Sequence, residues 1–578
     1  MASPAKGSVP VPLEPLGAGF RGDVAPHLAP LGTSPFSRNV LSHNNQVFAS
    51  SGWAKLRLSG NSNFGNKRIL NIAQYFASPF VDGDPVVFFT KPEVRFYEPG
   101  SDTFVDITAP RWAASNDVPP TWAIDVNGHM LVATGNDVFI WAPRVDGSVT
   151  SPRRMRQLGG LADERVLIEQ AFVVSFFEPH ALLGRIKQDG AWYPNRYAWS
   201  DLNDPERWFI GFDEELGITS LAGFADLPPN KAHETPTILS IESCRDLLAI
   251  WTNWDCYTLQ YVGAPNMWVR RLVQHEFGAR NYRCVVNFGD HHMVAGSDGD
   301  FYDTNLVDKQ SVGSPVRDWI NNRITGIIYG YRRFVPYDSV VWAFSTDPDN
   351  PSVPDTAAVF DVKEGHWDII DHPFWSGAAV DRSGVSGSIR GAGTINDLDL
   401  AAATIDDLDD VADTINELSL DELSRSVGRA NLDAEVLGAN DGNIYKRSGW
   451  TKNGADLIAE WRTPVLDFGD PIVRKWVSGY EVALVKEANA YLSEIIPPDS
   501  YQVLVSSYGS QNRDVDWEAL SPAQTRSYTL GGVQDQRLKF RSNFRFHQVG
   551  IRAVSTNASP KPWSLRRLYA FVVPAGQR

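Results

Sequence analysis

Metal chemistry needs imidazole, thiolate or carboxylate donors gathered at one point. The best candidate cluster in this sequence is His366, Asp368, Asp371 and His372. Its pattern, with Trp367-Asp368-Ile369-Ile370 inside it, is that of a strand entering a loop, which favours structural use. His291-His292 is adjacent, so in a strand the two rings face opposite sides and do not easily share an ion. His275, Cys284 and His291 do not match a zinc spacing. Trp199 and Trp208 could stack a planar ligand, but packing is the favoured reading. Arg21-Gly22-Asp23 matches an integrin-binding tripeptide, a match common by chance and discounted in a Pro/Gly arm. The 69 Asp and Glu residues could supply a glycosidase pair, which needs carboxyls roughly 5 to 9.5 Å apart, but abundance is not a pair. Gly296-Ser297-Asp298-Gly299 lacks the spacing of a nucleophile elbow, and there is neither a phosphate loop nor a G-x-G-x-x-G. No catalytic, cofactor-binding or metal residue is therefore assigned, no cofactor is expected, and the chain is read as a non-enzyme.

The elements that would position any such group are strands. Val86–Thr90 with Val94–Tyr97, and Met130–Thr134 with Val138–Trp141, read as hairpins; Val340–Phe344, Ala357–Asp361 and His366–Ile370 read as a further three-strand set. Asn127-Gly128, Asp146-Gly147, Asp189-Gly190 and Asp298-Gly299 are turn dipeptides that accept φ > 0. Hairpins in series without helical periods predict an all-β sandwich, barrel or propeller, with the blade count unreadable because the repeats diverge. We read residues 1–45 as an extended Pro/Gly-rich arm, in which Pro10, Pro12, Pro15, Pro26, Pro30 and Pro35 break any regular element. Its Leu13, Leu16, Phe20, Leu28, Leu31 and Phe36 suggest that it docks. Residues 46–390 are read as this main β domain (the propeller, if that alternative holds), 391–430 as an acidic insertion, 431–455 as the last hairpin of the main domain, and 456–578 as a C-terminal β domain of sandwich or jelly-roll type. The insertion holds three related copies ten residues apart, Thr394–Leu398, Thr404–Leu408 and Thr414–Leu418, and no Lys or Arg between Arg390 and Arg425. It lacks the central Gly and terminal Glu of a calcium loop, so an exposed acidic insertion is the preferred reading.

At 578 residues the chain is expected to hold two or more domains, or one large propeller with attachments. Gly 46, Pro 37 and Trp 19 suit a turn-rich β protein. A net charge of −16 argues against a surface that grips nucleic acid, yet an acidic wall would let DNA slide past. Three loosely spaced cysteines, Cys244, Cys256 and Cys284, give no disulfide framework and read as reduced, buried thiols. The start has no apolar signal region, and no apolar run approaches the roughly 20 residues that span a bilayer. A soluble protein with no membrane partner is expected.

The most patterned hundred residues run from Arg196 to Tyr302. Arg196-x-x-Trp199-Ser200-Asp201-x-x-Asp204-Pro205-x-x-Trp208, then Tyr257-x-Leu-x-Tyr261-Val262-Gly263-x-Pro265, then Gly296-Ser297-Asp298-Gly299-Asp300-Phe301-Tyr302 resemble the tail nozzle, or tail tubular, proteins of short-tailed bacteriophages. Val316-Arg317-Asp318-Trp319-Ile320, the acidic Thr-Ile-Asp-Asp-Leu repeats and Ser37-Arg38-Asn39-Val40 add to the resemblance. It covers the middle half of the chain well and the C-terminal domain loosely. It implies a β-propeller built into a homohexameric ring of the virion tail, made in the host cytoplasm. The ring would sit beneath the head-tail adaptor or portal ring, extend the channel through which genomic DNA passes without sequence-specific binding, and anchor tail fibres or spikes. No catalytic residue carries over. The alternative is a tail-associated carbohydrate-active propeller hydrolase, or depolymerase.

Overall fold

Asp189 and Gly190 show how this chain builds its sheets. Their φ angles are 51° and 77°, and as a two-residue turn they match the twist of the flanking strands His180–Gln188 and Ala191–Trp199. The same device, repeated, yields antiparallel sheets of four strands. The computed structural model describes residues 8–573 except 56–63, 76–85, 115–119, 143–155, 158–167, 230–234, 382–434, 486–499 and gaps of at most four residues.

Seven four-stranded sheets follow one another along the described residues. Blade 1 comprises Ile69–Gln74, Val86–Thr90, Val94–Glu98 and Thr103–Asp106. Blade 2 comprises Thr121–Ile124, Met130–Ala133, Val138–Trp141 and Arg156–Gln157. Blade 3 is the longest, with Ile168–Phe177, His180–Gln188, Ala191–Trp199 and the outer strand Gly223–Asp226. Blade 4 comprises Ile238–Cys244, Leu247–Thr252, Cys256–Gly263 and the outer strand Met267–Gln274. Blade 5 comprises Val285–Asn287, His292–Ala295, Phe301–Thr304 and Lys309–Ser311. A short helix, Arg317–Asn321, leads to blade 6, with Ile328–Arg333, Ser339–Phe344, Thr356–Asp361 and Trp367–Asp371. Blade 7 takes Trp375–Asp381, Glu435–Ala439 and Ile444–Arg447, and its fourth strand is Trp53–Lys55 from the other end of the chain.

First strands of successive blades contact one another from blade 2 through blade 7, and the first strand of blade 7 contacts that of blade 1. Blades 1 and 2 are joined where the Asn71 amide donates to the Pro120 carbonyl at 2.6 Å. The molecule is thus a closed β-propeller. The distant strand Trp53–Lys55 pairs with the outer edge of Ile444–Arg447 and completes blade 7. Tryptophans fill the gaps between blades: Trp251, Trp342 and Trp367 are fully buried, and Trp342 and Trp367 lie 5.5 Å apart.

The rest is a β-sandwich. One sheet has Val40–His43, Gln46–Ala49, Ser564–Val573, Lys475–Val485 and Asp535–Phe544, with Val9–Pro12 also paired to Ser564–Val573. The other runs Phe36–Arg38, Leu457–Arg462, Phe546–Ser555, Tyr501–Ser510 and Gln524–Leu530. Leu457–Arg462 alternates buried and half-buried residues, the period-2 signature of a strand with one face on a core. Trp461, Tyr480, Val482, Val503, Ile551 and Trp563 form that core, together with Leu13, Leu16, Val40 and Val47 of the N-terminal segment.

The structure therefore differs from the sequence-based division at the N-terminus. The segment expected as an extended docking arm supplies, over residues 9–49, four strands of the C-terminal sandwich, and the propeller begins at Trp53. Pro10 and Pro12 do not break the element they occupy. Val9–Pro12 pairs with one neighbour only, and proline is tolerated in such a strand. The acidic repeats of 391–425 lie outside the described residues.

Candidate functional site: the axial channel

The inner strands enclose a cavity of about 400 Å³ on the propeller axis. Its lining includes Asn71, Thr121, Ser175, Ser240, Glu242, Arg283 and Tyr331. Period-2 alternation on Ile238–Cys244 places Ser240 and Glu242 on one face of the strand, and the Ser240 hydroxyl donates to Glu242 Oε1 at 2.9 Å. Burial raises the Glu242 carboxyl above its usual range. Arg283 stands in a left-handed conformation, φ 68°. Its carbonyl accepts the Gly330 N–H at 2.9 Å, tying blade 5 to blade 6, and burial lowers its guanidinium to about 10.

One end of the inner strands carries an aromatic roof. Phe172 and Tyr282 immediately precede the lining residues Val173 and Arg283, and their rings stack at 6.2 Å and 13°. The Arg185 guanidinium lies 4.0 Å from the Phe172 centroid and 5.5 Å from that of Tyr282. Trp192 leans on Phe172 at 5.1 Å. Phe172 also rests on Gly135, where a Cβ would come within 2.7 Å of the ring, at φ +78°. Only glycine suits that backbone and that contact. The channel lining thus offers one carboxylate, one guanidinium and several hydroxyls. That set can hold water or a small polar ligand.

Most of the residues singled out by sequence lie apart from this channel chemistry. Trp208 folds back so that its Nε1–H donates to the Pro205 carbonyl at 2.9 Å. The Trp199 Nε1–H donates to the Leu221 carbonyl at 2.9 Å. Asp201 accepts the N–H groups of Leu202 and Leu221, both at 2.8 Å, and pairs with Arg207 at 3.4 Å. Asp204 accepts the Glu206 N–H at 3.0 Å, the Asx turn expected of Asp before Pro. These residues weld the outer corner of blade 3. Tyr261 packs edge-on against Trp268 at 5.4 Å, and Asp298 accepts the Tyr302 hydroxyl at 2.5 Å across a blade 5 turn.

The run His366, Asp368, Asp371 and His372 is dispersed. Asp368 is buried and accepts both the N–H and the hydroxyl of Ser42, at 2.7 and 3.0 Å, and burial pushes its carboxyl up to about 7. Asp371 binds Arg38, Asn39 and Lys452, which offset its burial and hold its carboxyl below the usual range. His372 points to Tyr331, 3.4 Å away. His366 turns to the Ser42 carbonyl, 2.7 Å away. Three of the four therefore clamp the N-terminal segment to blade 6. His275 binds Asp255, His291 binds Asp290, and His292 faces Ser243 and Trp251, so these histidines share no centre. Arg21 and Asp23 are bonded to each other at 2.8 and 2.6 Å, which closes the integrin-like tripeptide on itself. The three cysteines are buried and unpaired. Sequence reasoning missed Arg185, Glu242 and Arg283; a charged residue in an otherwise strand-like run was the signal available.

No family model matches the chain, and no curated protein matches it. Solved structures do. A chain of a mitotic checkpoint complex matches 70% of this chain over 93% of its own, at 10% identity and TM-score 0.36. The Neurospora crassa Pan2 WD40 domain matches 68% over 95% of its own, at 9% identity and TM-score 0.34. The extracellular domain of a B. thetaiotaomicron hybrid two-component system matches 52% of this chain at 11% identity and TM-score 0.33. The match spans only 35% of that last chain's length.

Proposed function

We propose that this chain is a structural protein of a bacteriophage tail, a nozzle subunit that assembles into a ring, extends the path of the genome below the adaptor and anchors fibres or spikes. The observation that carries the reading is an apolar edge on blades 3 and 4. Phe224 on the outer strand of blade 3, and Val262, Val269 and Leu272 on the two outer strands of blade 4, are exposed, within the segment that carries the resemblance. Exposed apolar residues on outer strands suit an interaction surface. The conspicuous motif residues beside them are spent on internal bonds, which suits a part selected for shape. The axial cavity is of small-molecule size, so DNA would pass through the hole of a ring of copies and not through a single propeller. A hydrolase in the channel would need a second carboxylate beside Glu242, and among the described lining residues Glu242 is the one acid.

The test is the mass of the purified protein, alone and mixed with candidate adaptor rings. Six copies of 64.1 kDa give a ring of roughly 385 kDa, and Val269→Glu with Leu272→Glu should return it to single chains. A species that stays monomeric alone and never joins an adaptor ring would sink the proposal.

A further inference from the structure

Away from the channel, one set of donor groups converges among the described residues. His43, Asp361 and Glu364 each present a ligand atom, and these atoms all lie within 4.8 Å of one another. His43 ends the strand Val40–His43 of the N-terminal segment, Asp361 ends a strand of blade 6, and Glu364 lies in the turn that follows. We propose that the three form a divalent-cation site of the zinc class that staples the N-terminal segment to the propeller.

Each donor is already oriented by a second bond. Asp361 Oδ1 accepts the N–H groups of Lys363 and Glu364, both at 2.9 Å. That leaves Oδ2 turned to His43 Nδ1 at 2.6 Å. Glu364 Oε1 accepts the Asn44 N–H at 2.8 Å and lies 3.7 Å from His43 Nδ1. The His43 ring lies flat on Tyr337, 4.6 Å between centroids and 8° between planes. Such outer partners are what hold metal ligands in place. Zinc with bonds of about 2.0–2.2 Å sets its ligands about 3.4 Å apart; the His43–Glu364 separation of 3.7 Å is near that spacing, while the His43–Asp361 contact of 2.6 Å must open as the metal enters. Mixed imidazole and carboxylate donors suit zinc better than calcium or magnesium, which prefer oxygen alone.

His366 borders the same carboxylate: its Nδ1 lies 3.7 Å from Glu364 Oε2 and its Nε2 2.7 Å from the Ser42 carbonyl. Metal ligands bind in their deprotonated forms, so affinity should fall as pH falls.

The experiment uses the full chain, stripped with chelator and titrated with Zn²⁺ by calorimetry, with thermal unfolding in parallel. One Zn²⁺ per chain and a raised Tm are expected. Glu364→Gln and His43→Gln should each weaken binding on the order of 100-fold. Glu364→Gln keeps an acceptor for the Asn44 N–H, so it decides the matter if His43→Gln fails to fold. Absence of zinc binding by the stripped wild type, or equal affinity in Glu364→Gln, overturns the proposal.

Discussion

The propeller and the sandwich solve the same problem, closing a sheet system, in opposite ways. Six blades are continuous in sequence, each made of neighbouring hairpins, and only the seventh borrows a strand, Trp53–Lys55. The sandwich borrows from a distance: Val9–Pro12, Phe36–Arg38 and Gln46–Ala49 pair with strands more than four hundred residues away, and Val40–His43 joins through its hairpin with Gln46–Ala49. The propeller also buries charge at its closure. Arg447 and Glu435 are 2% and 3% exposed and meet at 2.6 Å. Tyr331 donates to the same carboxylate, and Arg447 reaches Ser50 at 3.0 Å over the Trp53 ring. The sandwich core is mainly aliphatic and aromatic, with His547 and Gln548 buried among its strands. One N-terminal segment thus completes both halves, through apolar burial in one and a polar lock in the other.

Three changes would break or sharpen that contrast. The largest effect is expected from deleting residues 1–50, which removes four sandwich strands and spares the strand that closes blade 7. Losing buried Leu13, Leu16, Val40 and Val47 costs about 2–5 kcal/mol each, against a domain stability of about 5–15 kcal/mol. Hydrogen exchange should show the sandwich amides unprotected while blades 1 to 5 stay protected; equal loss in both halves would erase the distinction.

Next, Glu435→Gln leaves a buried guanidinium without its counter-charge and should cost about 3–5 kcal/mol, read as a lower urea midpoint. Adding Arg447→Met should recover much of that loss. If the single change is neutral, the polar lock does not hold the closure.

The smallest contrast is in acid. Burial pushes His292 of blade 5 and His547 of the sandwich both down to about 4, from 6.5. His292 accepts the Trp251 Nε1–H at 3.2 Å and donates to the Ser243 carbonyl at 2.9 Å, so it has no place for a second proton. Between pH 6.5 and 4 the unfolded chain takes up protons that the folded chain refuses. Stability present above pH 6.5 is therefore lost as pH falls towards 4, by about 3 kcal/mol for each histidine. His292→Gln should flatten the acid response of the propeller alone, and His547→Gln that of the sandwich alone, measured domain by domain from exchange rates.

Much of this was written locally in the sequence. Val86–Thr90 with its partner strand, Asp189-Gly190, and the fold-back of Trp208 on Pro205 depend on residues within a few positions of one another, and period and turn chemistry reveal such pairs. The channel was not legible: Glu242, Arg283 and the Phe172–Arg185–Tyr282 stack come from separate blades, and no local pattern says which strands will be innermost. The run His366, Asp368, Asp371 and His372 looked like a centre because its members are close in sequence, yet Asp368, Asp371 and His372 turn to three different neighbours. His43, the group that does meet Asp361 and Glu364, lies more than three hundred residues away. By itself the sequence determined the β class, the hairpins and the tight turns, because those follow from alternation and backbone freedom. Only the tertiary structure decided the seven blades, the channel and the double use of the N-terminal segment, because short strands carry too little information to name a distant partner until the cores they complete exist.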